Sequence, residues 1–140
     1  IVGFPTETDQ DFEELVDFVS EGHFQHLGIF LYSDEDNIRS SKFGDPIPLS
    51  LKEERKNRLM EIQQKISKEH HQKMVGSLQQ VLVGGFSSET DLLLEGRNQY
   101  QGPEVDGVVY INEGNATSAG FHQVEITEAH EYDLVGKILN

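Results

Sequence analysis

The chain has 140 residues, of which 36% are apolar, a formal net charge of −14 and no cysteine. This length supports one ordinary domain or two small units, and the missing cysteine excludes disulfides and thiolate-ligated metal sites within the chain. No apolar run reaches the roughly 18 residues of a membrane span, so we expect a soluble, cytoplasmic protein.

The first 48 residues predict a βαβ piece. Residues 1–8 have the pattern of a strand end, a Gly/Pro turn and a helix cap, so we interpret them as the last part of a larger sheet that begins before this chain. Thr8 and Asp11 predict a capping box, and Phe12 begins an apolar face at helical spacing. The near-continuous apolar run 27–32 predicts a parallel strand buried on both faces.

Residues 49–75 predict a linking helix. Ser50 and Glu53 have the spacing of a second capping box, and Leu59, Ile62 and Ile66 mark an apolar stripe. The seven bases between residues 49 and 73 alternate with acids, a pattern typical of a solvated helix face.

Residues 76–140 change to a period of two, with short runs bounded by glycine. We predict five strands, and five short strands in this length favour a small closed barrel. Their predicted ranges are 78–86, 92–96, 107–112, 121–127 and 132–139. The fold class is therefore α+β.

Several strings in the chain resemble the radical-SAM methylthiotransferases. Residues 1–14 are similar to the strand, turn and helix near the end of the family's radical-SAM barrel, and residues 52–67 are similar to its linking helix. The strings 89–97, 103–107 and 126–136 are similar to the branch that modifies an aspartate of small-subunit ribosomal protein twelve. The chain departs from the family at Thr6, where glycine is usual, and at residues 37–39.

The resemblance implies a C-terminal βαβ fragment of a radical-SAM barrel (1–48), a linking helix (49–75) and a five-stranded antiparallel, OB-like TRAM barrel (76–140). It also implies an enzyme that uses S-adenosylmethionine and two 4Fe-4S clusters. Because such clusters need cysteines, the catalytic centre is expected outside this chain, and the chain alone should be inactive. Gly3, Phe4 and Pro5 are candidates for the cofactor rim; the alternative is that they only shape and pack the turn.

The charge of the last segment suggests a partner. Residues 74–140 carry ten acids but only two bases, Arg97 and Lys137. Such a surface repels phosphate backbones and attracts basic proteins, which suits the ribosomal protein substrate that the resemblance implies. The candidate contacts to that substrate are Glu89, Asp91, Glu104 and Asp106.

Two other functions stay open at this point. The chain is alternatively part of a tRNA methylthiotransferase with an RNA-binding TRAM domain, or a noncatalytic adaptor. The pair His23 and His26 has a spacing that metal sites use, but it lacks a third ligand, so we expect no metal site.

Overall fold

A computed structural model of the chain describes residues 1–35, 39–87, 90–116 and 119–139. The described residues form two compact units, residues 1–66 and 67–140, and the boundary falls inside the second helix. The elements in chain order are helix α1 (Asp9–Ser20), a 3₁₀ helix (Arg39–Phe43), helix α2 (Leu49–Met74) and the strands β1 (Leu78–Phe86), β2 (Leu94–Arg97), β3 (Val109–Glu113), β4 (Gly120–Ala129) and β5 (Leu134–Ile138).

Helix α1 begins as the sequence predicts. The Thr8 hydroxyl accepts a hydrogen bond from the Asp11 amide at 3.1 Å, and the Asp11 carboxylate accepts one from the Thr8 amide at 2.8 Å. Gly22 adopts a positive φ of 77° just after the helix, where its N–H donates to the carbonyl of Val19. The buried face of the helix consists of Phe12, Val16 and Val19.

The parallel strand predicted at 27–32 is reduced in the structure to one bridge. Leu31 pairs in parallel with Val2, which bonds to both Phe30 and Tyr32 through its backbone groups at 2.9 and 2.8 Å. Ile29 and Tyr32 are buried, but Phe30 is exposed, so the prediction of burial on both faces is wrong. Among the described residues, this segment has a bridged neighbour only at Val2, which leaves its other edge without a strand partner.

Helix α2 confirms the predicted linking helix, with two corrections. It begins at Leu49, where the Pro48 carbonyl accepts the first bonds, so Ser50 lies inside the helix rather than at its cap. Its bases do not form a uniformly solvated face, because Lys52 and Arg55 are buried. The buried stripe continues through Leu59 and Gln63, which makes it mainly polar.

Residues 78–138 contain the predicted five-stranded barrel. The strands close in the order β1-β2-β3-β5-β4, with β4 pairing back to β1. The prediction that all pairs are antiparallel is wrong for β3 and β5, which run parallel. Strand direction cannot alternate all the way around a closed ring of five, so at least one parallel pair is required.

The interior of the barrel is filled by aliphatic side chains from β1, β3, β4 and β5. They are Val81, Val83, Val109, Ile111, Val124, Ile126, Leu134 and Ile138. Glycine allows the strands to approach closely at two points: a Cβ on Gly96 would lie 2.6 Å from Val81 Cγ1, and one on Gly136 would lie 2.5 Å from Val124 Cγ1. All eight of these residues lie on the strands, and the partly buried Met74, Leu94, Ala116 and Ala129 pack against them.

Candidate functional site

The turn expected at the cofactor rim is held by contacts within the chain. Gly3 is buried at a positive φ of 79°, and its N–H donates to both carboxylate oxygens of Glu7 at 3.1 Å. A Cβ on Gly3 would lie 2.4 Å from Cγ of Lys52, so only glycine fits here. Packing and backbone conformation therefore explain Gly3 without a ligand.

Phe4 and Pro5 keep exposed surface at the same turn. The Phe4 ring contacts Tyr32 edge-on, with ring centroids 5.4 Å apart, and Phe43 at 6.2 Å. The Glu7 amide closes the turn by donating to the Phe4 carbonyl at 2.8 Å. Glu104 alone among the described non-glycine residues has a positive φ, so Thr6, where the family usually has glycine, does not need the left-handed conformation that favours glycine. Whether Gly3, Phe4 and Pro5 contact a cofactor stays a prediction.

Two buried cations of α2 fix this turn, and the sequence analysis missed them. The Lys52 ammonium donates to the Tyr32 carbonyl at 2.9 Å and to Asp45 Oδ1 at 2.5 Å. The Arg55 guanidinium donates to Glu7 at 2.5 Å and to Asp9 at 2.7 Å. Glu7 thus joins Arg55 to the Gly3 amide, and the electrostatics of the turn depend on α2.

The acids predicted to contact a protein substrate have different positions on the barrel. Glu89 lies outside the described residues, and Asp91 is exposed in the connection between β1 and β2. Glu104 is exposed in the loop between β2 and β3, at a φ of 62°. Asp106 is only half exposed, and its carboxylate accepts a hydrogen bond from the Gly102 amide at 2.7 Å, so it stabilises the loop.

A cleft of about 380 Å³ brings two of these acids together with a third. Glu104 and Asp106 line it on the loop side, and Glu95 lines it from β2. Arg97 lies on the wall of the same cleft, whereas Asp91 does not line it. Glu95 was missed because its place in the sequence, between Leu94 and Gly96, shows only an alternating strand.

The two bases of the barrel have different surroundings. Lys137 forms an ion pair with Glu125 across β5 and β4, with 3.1 Å between Nζ and Oε2. Arg97 is exposed on β2, where its strand partner is Leu82 on β1. With ten acids in residues 74–140, the acidic charge of this segment is only weakly compensated within it.

Three groups on α1 and α2 have shifted pKa values. The backbone N–H and then the hydroxyl of Thr8 hold the pKa of Asp11 below its ordinary value. Hydrogen bonds from Arg58 lower the pKa of Glu13, and the same bonds raise the pKa of Arg58. These shifts report capping and surface pairing, not an acid–base centre.

His23 and His71 contact other residues of the chain. His23 Nε2 lies 2.6 Å from Glu21, and the buried His71 ring contacts the His130 carbonyl at 3.1 Å. Within the described part of the chain, no group of three or more His, Asp or Glu side chains is arranged to hold a metal ion. The helices described there are also too short or too polar to cross a membrane.

Comparison with known proteins gives two results. Residues 75–139 match the model of the TRAM domain. Nearly the whole chain is also similar to proteins named ribosomal protein uS12 methylthiotransferase RimO. The identity is 48% over 99% of the chain for Anaeromyxobacter sp. (strain K), 49% over 99% for Bdellovibrio bacteriovorus and 44% over 98% for Aquifex aeolicus. The chain spans about 30% of the length of these curated relatives, covering 30%, 30% and 32% of them.

Proposed function

Because residues 75–139 are a TRAM domain and nearly the whole chain is similar to ribosomal protein uS12 methylthiotransferases, we propose that it is the C-terminal part of such an enzyme. In this proposal, residues 1–48 complete a radical-SAM barrel, residues 49–75 link it to the next domain, and residues 76–140 are the TRAM domain. The parent enzyme adds a methylthio group to an aspartate of uS12. A ribosomal substrate places that enzyme in the cytoplasm.

The cofactors of the parent enzyme are expected to be S-adenosylmethionine and two 4Fe-4S clusters, which supply the radical and support sulfur insertion. The residues of this chain do not fit the clusters, because it has no cysteine and thiolates are their usual ligands. Contact with S-adenosylmethionine fits Phe4 and Pro5, which keep exposed surface, better than Gly3, whose open side is filled by Lys52.

We assign recruitment of the basic substrate protein to the acidic barrel. The observation that carries this assignment is the excess of acids in residues 74–140, which contain ten acids and two bases. One of the two bases, Lys137, already pairs with Glu125. Such an excess raises the encounter rate with a basic protein and disfavours a phosphate backbone. Asp91 and Glu104 are the exposed acids that we assign to this contact, and Asp106 acts by holding the loop of Glu104.

Binding of purified uS12 to the intact parent enzyme tests the assignment. The double variant Asp91→Lys/Glu104→Lys should weaken binding by at least tenfold at low salt, mainly through a slower association rate. Glu128→Lys, on the exposed surface of β4, is the matched control for an acid reversed elsewhere on the barrel. An unchanged affinity in the double variant, or an equal loss in the control, would refute the assignment.

Two further measurements separate the alternatives. Tight, salt-sensitive binding of tRNA by the intact parent would favour a tRNA methylthiotransferase. A Cys-x-x-x-Cys-x-x-Cys motif in the sequence that precedes Ile1 in the parent would rule out the noncatalytic adaptor, because the thiolates of that motif can ligate an iron–sulfur cluster.

A further inference from the structure

The barrel exposes large apolar side chains that its core does not use. Phe86, Leu92 and Val105 are 69%, 89% and 85% exposed. The interior is filled by other residues, and the ring of strands is closed, so these three side chains do not contribute to the core. Exposed apolar groups that lie near one another on a folded domain commonly mark an interaction site.

None of the three residues lines the acidic cleft, but Phe86 and Val105 are close in sequence to residues that do, and Leu92 lies in the same hairpin as Phe86. Phe86 follows Gly84, a lining residue, by two positions on β1 and pairs with Leu94, next to Glu95 on β2. Leu92 lies in the connection between the two strands, where the Ser87 amide bonds to the Leu93 carbonyl at 2.8 Å. Val105 stands between two lining residues of the loop before β3. We call these three residues the Phe86 surface.

Acids stand next to two members of the Phe86 surface in the sequence. Asp91 precedes Leu92, and Glu104 and Asp106 enclose Val105 in the sequence. Apolar side chains surrounded by carboxylates complement a partner that presents apolar side chains among lysines and arginines.

Another exposed phenylalanine of the barrel has different surroundings. Phe121 on β4 is 68% exposed, almost the same as Phe86, and pairs with Leu82. It lines a separate groove of about 270 Å³ in which Arg97 is the charged residue and no acid lines the wall. Arg97 also lines the first cleft, but there the acids Glu95, Glu104 and Asp106 outnumber it. Charge therefore favours binding of a basic partner at the Phe86 surface rather than at the Phe121 groove.

Resting on the function proposed above, we propose that the Phe86 surface provides the apolar anchors for the basic substrate protein. Its side chains bury apolar groups of the partner, while Asp91 and Glu104 accelerate the encounter. Anchors buried at the centre of an interface govern mainly the dissociation rate, whereas charges at its rim govern the association rate and the salt dependence. The two groups therefore have separable kinetic effects.

Kinetic measurement of uS12 binding by the intact parent enzyme tests this inference. Phe86→Ser and Leu92→Ser should each raise the dissociation rate by about tenfold or more, which is the loss expected of an anchor residue. Both effects should persist at high salt. Phe121→Ser removes an equally exposed ring and should change the dissociation rate of uS12 by less than about twofold, as expected for a surface residue outside the binding interface. Circular dichroism should show that all three variants keep the fold.

The outcomes distinguish the inference from the function on which it rests. If Asp91→Lys/Glu104→Lys weakens binding of uS12 but Phe86→Ser and Leu92→Ser do not, the assignment of these apolar residues as anchors is wrong. The proposal that the acidic barrel recruits the substrate is then still supported. An equal loss in Phe121→Ser also overturns the anchors, because exposed aromatic area would then act regardless of position. Failure of the unmodified enzyme to bind uS12 overturns both.

Discussion

Replacement of Arg55 by methionine tests the buried network that holds the Gly3 turn. The Arg55 side chain is 4% exposed and pairs with Glu7, which is 11% exposed, at 2.5 Å. Removal of one partner from a buried pair typically costs about 3–5 kcal/mol, because the other charge stays buried without compensation. The second partner of Arg55, Asp9, is 94% exposed, so this ion pair contributes at most about 1 kcal/mol to the free energy of unfolding. Glu7 keeps its hydrogen bonds from the Gly3 amide, so we expect Arg55→Met to lower the free energy of unfolding by about 3 kcal/mol, at the lower limit of this range.

Arg58→Met is the matched control for this substitution. Arg58 lies one turn further along α2, and its guanidinium lies 5.6 Å from the centroid of the Phe12 ring, compared with 5.3 Å for Arg55. It also forms an ion pair, with Glu13, but both side chains are about half exposed. An exposed pair contributes about 0–1 kcal/mol, so the difference between the two variants measures the effect of burial.

Hydrogen exchange of the α1 amides in the 140-residue chain measures this difference, because protected amides report the opening free energy of their own region. Arg55→Lys should give an intermediate loss, since an ammonium group keeps the charge but cannot reproduce the fork of a guanidinium. Equal losses in the Arg55 and Arg58 variants, or a loss below about 1 kcal/mol in Arg55→Met, would show that the network does not stabilise this unit.

Two further predictions concern local geometry. A Cβ on Gly107 would lie 1.8 Å from the Tyr132 carbonyl oxygen, whereas a Cβ on Gly84 would meet nothing within 4 Å. Gly107→Ala should therefore lower the free energy of unfolding of the barrel by at least about 1–3 kcal/mol, and Gly84→Ala should lower it much less. Thermal melts of the two variants measure this difference. The pKa of Asp11 lies below its ordinary value of 3.8, so its cap stabilises α1 above about pH 4 and is lost as the pH falls further. NMR titration should show this lowered pKa, and Asp11→Asn should remove the pH dependence; an unshifted carboxyl would contradict it.

The sequence predicts the barrel well because its signals are local. Alternation such as that of Val124 and Ile126 marks a half-buried strand, and β1 begins and ends where the pattern predicts, at Leu78 and Phe86. The parallel pairing of β3 and β5 is not visible in any single strand. It follows only after closure of all five strands is considered.

The ion-pair network at the Gly3 turn cannot be predicted from residues that are close together in the sequence. Glu7 and Arg55 are 48 residues apart, and Asp9 and Arg55 are 46 apart. On a helix with alternating charges, the buried Lys52 and Arg55 look in the sequence like the half-buried Lys56 and the exposed Arg58, because burial depends on which face meets the distant acids. The prediction of a solvated face failed for this reason.

The candidate site on the barrel was only partly predictable. The excess of acids is evident from composition, which selects the segment and the sign of its partner. The separate roles of the acids are not evident. Asp106 bonds to the Gly102 amide, Glu104 is exposed at a positive φ, and Glu95 faces the cleft from a strand. These roles depend on the loop conformation, which the residue types alone do not determine.

The two units use their acidic charge differently, and this difference supports a binding role for the barrel. In residues 1–66, the acids Glu7 and Asp45 are matched by buried cations of α2, so their charge stabilises the fold. In residues 74–140, the bases are too few for such matching, and Lys137 already pairs with Glu125. Self-repulsion of uncompensated charge destabilises a compact domain. A basic partner that neutralises this charge, with the Phe86 surface as its apolar contact, would relieve the repulsion and stabilise the barrel.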